Sequence, residues 1–169
     1  MARRTEYRKE FPFPAEKVYE ALATRQYWED RLTAVGGTNA RVVAFETNDG
    51  GISVELEQTI PRSKLPSVAH TVIKHDMVIQ RRESWSALDG AASSASGELF
   101  AAMPGGPGDV KGTRKLAADG SGSIIEATVE SRVSVPIVGG KLEKVVLQNL
   151  VRLYEKEDSF TEEWIGKHL

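Results

Sequence analysis

The apolar positions of the last thirty-odd residues set the frame for the rest. After Pro136-Ile137-Val138-Gly139-Gly140 the chain runs without proline, and without glycine until Gly166. Leu142, Val146, Leu150, Leu153, Phe160 and Trp164 recur there at helical steps, with Val145 beside them. That spacing is one stripe of a 3.6-residue helix. Lys141, Lys144, Arg152, Glu155, Glu162 and Glu163 fall mostly off the stripe, so the other face is solvated. At about 1.5 Å per residue the helix is roughly 40 Å long, and it needs a large partner surface to stabilise it.

Upstream the pattern changes to alternation. Thr5, Tyr7 and Phe11 share one parity and Glu6, Arg8 and Glu10 the other, which predicts a strand over 3–11. Phe11-Pro12-Phe13-Pro14 ends it, because proline lacks the ladder donor. Val18, Tyr19 and Leu22 with Glu16 and Glu20 predict a short amphipathic helix. A second, carrying Tyr27 and Trp28, runs from about 25 to 32 and stops at Gly36-Gly37. Strands follow at 40–47 and from Ile52 through Val54 and Leu56 to Ile60, joined by the hairpin signal Asn48-Asp49-Gly50-Gly51. Further strands are expected near 77–88, 91–103 and 110–117. The cleanest alternation comes last, in Ile125, Ala127, Val129, Val133 and Val135. Between them, Leu65, Val68, Val72 and Ile73 make 61–75 a short helix or an apolar flap.

One strand, two short helices, six strands and a long helix, joined mainly by hairpins, describe an antiparallel sheet of six or seven strands. One apolar face per strand and one stripe on the helix call for helix-on-sheet packing. The fold class is α+β, in a single domain over 1–169. Such a sheet must curl, and curling round a helix leaves a space suited to a ligand.

Composition narrows the function classes. A net charge of −2 argues against a dedicated nucleic-acid binder. No apolar run approaches the length of a membrane span, and the N-terminus has no apolar signal region, so a cytoplasmic location is expected. The absence of cysteine removes disulfides, thiolate catalysis and sulfur-ligated metals. His70 and His75 stand five apart, a spacing that suits neither a helical nor a strand metal pair. No phosphate-binding glycine motif, nucleophile elbow or zinc-protease motif occurs, so neither a cofactor nor a metal is expected.

A few residues break the pattern. Arg81 and Glu83 share the parity of Met77, Ile79 and Trp85. Either they face inward, paired with each other or with a ligand, or a bulge near Gln80 turns them out. Arg114 follows Val110 and Leu116, as a clamp for an anionic head group or as a solvated strand end. Asn149, between Val146 and Leu153, either looks into the space or sits on the stripe margin. Glu157 is placed similarly. His70 is a donor or general base at the mouth, or a solvated loop residue, and Trp85 is a pocket wall or plain core. The alternation on the strands puts no two carboxylates together.

The opening Phe11-Pro12-Phe13-Pro14-Ala15-Glu16-Lys17-Val18-Tyr19-Glu20-Ala21-Leu22 and the closing Val135-Pro136-Ile137-Val138-Gly139-Gly140-Lys141-Leu142-Glu143 carry a resemblance. Together they are similar to the START / polyketide-cyclase-like (SRPBCC) superfamily with the helix-grip fold, and more narrowly to an uncharacterised actinobacterial branch of it. The resemblance covers nearly the whole chain and rests on structural motifs. It implies a largely apolar cavity holding a hydrophobic small molecule or lipid, as in a carrier or sensor. An alternative is a cyclase, dehydratase or hydrolase acting on a polyketide-like substrate in the same cavity. Docking of a partner chain, as in co-chaperone members, is a third. The cavity candidates are Arg81, Glu83, Trp85, Arg114, Asn149, Leu153 and His70; none is assigned a catalytic role, and the oligomeric state is not legible.

Overall fold

The hairpin signals translate directly into topology. In the computed structural model, which describes residues 2–169, seven strands form one antiparallel sheet. They are β1 (Arg3–Phe11), β2 (Thr38–Asn48), β3 (Gly51–Ile60), β4 (Met77–Ser86), β5 (Ser94–Ala102), β6 (Gly108–Asp119) and β7 (Gly122–Val133). The order across the sheet is β1-β7-β6-β5-β4-β3-β2, so β1 and β2 are its edges. The hairpin at Asn48 closes as its sequence requires. Gly51 holds a φ of +133°, and a Cβ there would collide with the Trp85 carbonyl.

Helices α1 (Ala15–Leu22) and α2 (Arg25–Val35) follow β1, and α3 (Gly139–His168) is the 30-residue rod expected from the stripe. Pro14 sits immediately before α1, where its missing N–H costs nothing. The segment between β3 and β4 holds two short 3-10 turns, Arg62–Lys64 and Ser67–Thr71. Among the described residues no helix is long and apolar enough to cross a membrane.

The main core lies at one end of the sheet, under α1 and α2. Phe11, Val18, Leu22, Tyr27, Trp28, Ile52, Val54, Leu56, Trp85, Leu116, Ile125 and Ile165 are buried together there. A smaller cluster of Leu99, Ala127, Val129, Leu147 and Tyr154 packs between the sheet and the middle of α3.

α3 is fastened at both ends. Near its start, Arg3 Nε donates to the Gly140 carbonyl at 2.8 Å, and the buried Glu143 carboxylate accepts from the Val133 N–H at 2.8 Å. Near its end, Trp164 Nε1 donates to Asp30 on α2 at 2.9 Å. Its backbone runs close to β7, β1, α1 and α2 and stands off the strands in the middle of the sheet.

The buried face of α3 is turned from the apolar stripe. Glu143, Leu147, Tyr154, Glu157, Asp158, Thr161 and Ile165 face in with Leu142 and Trp164, while Val146, Leu150, Leu153 and Phe160 are only half-buried. The reason is chemical: the lower half of this face meets charged residues from the sheet.

Candidate functional site

Arg81 and Glu83 face inward. The β3–β4 register runs unbroken through Leu56↔Arg81 and Val54↔Glu83, so no bulge turns them out. Arg114 on β6 points the same way, and all three are at most 5% exposed. Three more buried charges meet them: Arg31 from α2, and Glu157 and Asp158 from α3. Three guanidinium groups and three carboxylates thus share one interior site, which is formally neutral.

Glu83 is the hub. Its Oε2 lies 3.0 Å from Arg31 Nη2 and 2.9 Å from Arg81 Nε, and its Oε1 lies 3.5 Å from Arg114 Nη1. The Arg81 fork grips Glu157 through two hydrogen bonds of 2.8 and 2.9 Å. That bidentate geometry is the strongest an arginine makes with a carboxylate. Arg31 Nη2 also approaches Glu157, at 3.3 Å, and Arg114 Nη2 donates to Asp158 at 3.3 Å.

Aromatic rings wall the site. Arg31 lies over Trp28, 4.4 Å from the ring centroid. Arg114 lies over Tyr154 at 5.1 Å and over Trp85 at 5.6 Å. Gly97 makes room for Trp85, whose ring sits where a Cβ would go. Tyr27 packs edge-on against Trp28 and Trp164, and its hydroxyl bonds with Thr161.

The fields here are strong. Burial alone would raise the Glu83 carboxyl, but Arg81, Arg31 and Arg114 outweigh it and hold the group at about 2. Asp158 goes the other way: burial raises it and Arg114 only partly pulls it back. Burial also pushes the Tyr154 hydroxyl up to about 12 against the pull of Arg114 and Arg81. Tyr7, half-buried on β1, is raised by burial and by the Asp158 carboxylate beside it. Not every polar atom is satisfied. Arg31 Nε, Arg114 Nε, Glu83 Oε1 and the Tyr154 hydroxyl have no hydrogen-bond partner among the described residues, nor has Ser131 Oγ on β7. Arg81 Nε, close as it is to Glu83, is poorly aligned for a hydrogen bond.

Above this floor the sheet and α3 are less tightly closed. Ile79, Ala101 and Val110 lie on the inward parity of β4, β5 and β6, yet each is only half-buried. Opposite them on α3 are the half-buried Val146, Leu150 and Leu153, of which Leu150 packs with Val110 against the smaller cluster.

The other candidates are placed as follows. Trp85 is a buried wall of the charged site. Asn149 is exposed, one step beyond the Val146–Leu153 flank, and does not look inward as its neighbours suggested. His70 is half-buried, and its Nε2 is bonded to the Arg62 carbonyl at 2.9 Å. Arg62 in turn donates to the carbonyls of Ile73 and His70, so this histidine staples the flap to itself. The strand alternation did keep carboxylates apart, but α3 brings Glu157 and Asp158 to Glu83. Sequence reasoning missed Arg31 and Asp158 altogether. The usable signal was charge balance: inward arginines on a sheet require inward acids from whatever covers it.

Comparison with known proteins agrees with the architecture. Over 161 residues, 91% of each chain, the protein is 27% identical to an uncharacterised protein of Mycobacterium tuberculosis. A crystal structure from Thermus thermophilus superposes with a TM-score of 0.62 at 18% identity, covering 96% of this chain and 97% of that one. Norcoclaurine synthase from Thalictrum flavum superposes with a TM-score of 0.59 at 13% identity, covering 98% and 87%. The architecture is thus the helix-grip fold. Within it, the match of residues 6–165 to the model described as "Protein of unknown function (DUF2505)" makes this chain a member of that family.

Proposed function

We propose that this protein binds a hydrophobic small molecule or lipid between the sheet and α3. The carrying observation is the set of inward-facing apolar residues left half-exposed above a charged floor: Ile79, Ala101 and Val110 on the strands, Val146, Leu150 and Leu153 on the helix. An apolar surface that faces its own helix and still meets solvent gains by taking up an apolar guest. Arg114, Tyr154 and Glu83 are buried beneath that surface and close the gap on its charged side.

The test uses N-phenyl-1-naphthylamine, a neutral apolar fluorophore, with mass spectrometry of organic extracts of the purified protein. Probe binding should weaken about tenfold or more in Ala101→Trp and in Leu153→Trp, since each fills the gap from one side. Undiminished binding in both variants, or none in the parent, would overturn the reading.

Acid–base chemistry on a polyketide-like substrate is a second reading. One observation favours it: a raised carboxyl, Asp158, shares a buried site with a depressed one, Glu83. Paired groups pushed apart in this way are how one site holds an acid and a base together. Turnover lost in Asp158→Asn while binding is kept would support it; turnover retained in that variant would remove it.

A further inference from the structure

A second concavity of about 650 Å3 lies on the opposite flank of α3, where the helix meets the edge strand β1. Its lining includes Thr5 on β1 and Leu147 and Val151 on α3, which give a floor with apolar character. Around it stand Arg3 and Arg4 from β1 and Lys144 and Arg152 from α3, with Glu155 as the one carboxylate of the lining. The volume falls within the about 300–1,000 Å3 typical of small-molecule sites.

The charge balance singles this groove out. The chain as a whole carries −2, whereas the groove has four cations against one carboxylate. Among the described residues none of the four cations makes an ion pair. Arg3 spends its Nε on the Gly140 carbonyl, which fixes its stem at one end of the groove. Arg4 lies opposite Glu130 in the strand register and borders both this groove and a concavity on the outer sheet face. Solvated surface cations are commonplace, but they are usually interspersed with acids. Here a local excess converges on a groove with an apolar floor.

The geometry points to a binding site for an amphipathic anion: a carboxylate or phosphate head held by Arg3, Lys144 and Arg152, with an apolar tail along Leu147 and Val151. The head gains charge-assisted hydrogen bonds from two forked guanidinium groups. The tail covers apolar surface that the β1 edge leaves open. This site is separate from the gap on the Val146–Leu153 flank and does not depend on that gap being occupied.

Calorimetric titration with dodecyl phosphate and with dodecanoate, each kept monomeric, tests the assignment, with inorganic phosphate and dodecanol as controls. Binding of either amphiphile should weaken about tenfold or more in Lys144→Glu/Arg152→Glu, and should also weaken as salt is raised. It should be unchanged in Leu153→Trp, which fills the other flank. The two amphiphile arms distinguish a phosphate head from a carboxylate. The proposal is overturned if neither amphiphile binds, if inorganic phosphate or dodecanol binds as tightly, or if Leu153→Trp abolishes binding while the charge reversal does not. Far-UV circular dichroism and thermal melting confirm that the reversed protein is folded.

Discussion

The interior site and the β1–α3 groove are built from the same kind of side chain with opposite accounts. Inside, Arg31, Arg81 and Arg114 face Glu83, Glu157 and Asp158, and every charge has a partner within 3.5 Å. In the groove, Arg3, Arg4, Lys144 and Arg152 face Glu155 with no ion pair among the described residues. Burial explains the difference. A charge removed from water must be neutralised on the spot, whereas water and salt stabilise an exposed one. Interior arginines are therefore committed to the fold, and groove cations are free to meet something else.

The sharpest way to break this contrast is to remove the hub. Glu83→Gln leaves three buried guanidinium groups with two carboxylates. Its cost should be about 3–5 kcal/mol, read by urea denaturation, because an unpaired buried charge is far worse than a missing pair. A loss under about 1 kcal/mol would mean that the cluster is hydrated or rearranges freely.

Acid should reach the same group. Glu83 is held at about 2, below the 4.5 of an ordinary glutamate. A depressed folded pKa contributes stability that is complete above the unfolded value and is lost as pH falls through 4.5 toward about 2. That loss should total about 3 kcal/mol and be missing from Glu83→Gln. Asp158 has the reverse sign. Its raised carboxyl favours folding below the unfolded value of 3.8 and gives that up as pH rises through the folded one. Asp158→Asn should therefore cost less at neutral pH than Glu83→Gln.

A double-mutant cycle sharpens the picture further. Arg31→Met and Glu83→Gln, combined, should be less harmful than their sum by about 1–3 kcal/mol, since each single change strands the other's charge. Simple additivity would show that the 3.0 Å contact carries no coupling. The smallest effect belongs to the groove. Lys144→Glu/Arg152→Glu should shift unfolding by no more than about 0.5 kcal/mol, as exposed residues without partners do. A larger loss would mean that these cations hold α3 to the sheet.

Much of the fold was legible because alternation reports burial directly. Ile52, Val54 and Leu56 on β3, and Ile125, Ala127 and Val129 on β7, are buried as their parity requires. The same rule pointed Arg81, Glu83 and Arg114 inward. It failed on α3, where apolar periodicity traced the half-buried flank of Val146, Leu150 and Leu153. The true inner face carries Glu143, Glu157, Asp158 and Thr161. A hydrophobic pattern cannot register a buried face whose residues are ionic, and the ionic partners lie 44 to 76 residues away along the chain. Arg31 was hidden for the same reason, since its acid is 52 residues downstream. The groove cations were visible one by one but not as a set, because β1 and α3 meet only in three dimensions.

The two fastenings of α3 give it the mechanics of a beam clamped at both supports. Glu143 and Arg3 grip one end, and Trp164 with Asp30 grips the other. Such a beam does not pivot open like a door. It yields only by bowing at mid-span, around Val146 to Leu153, while both ends keep their place.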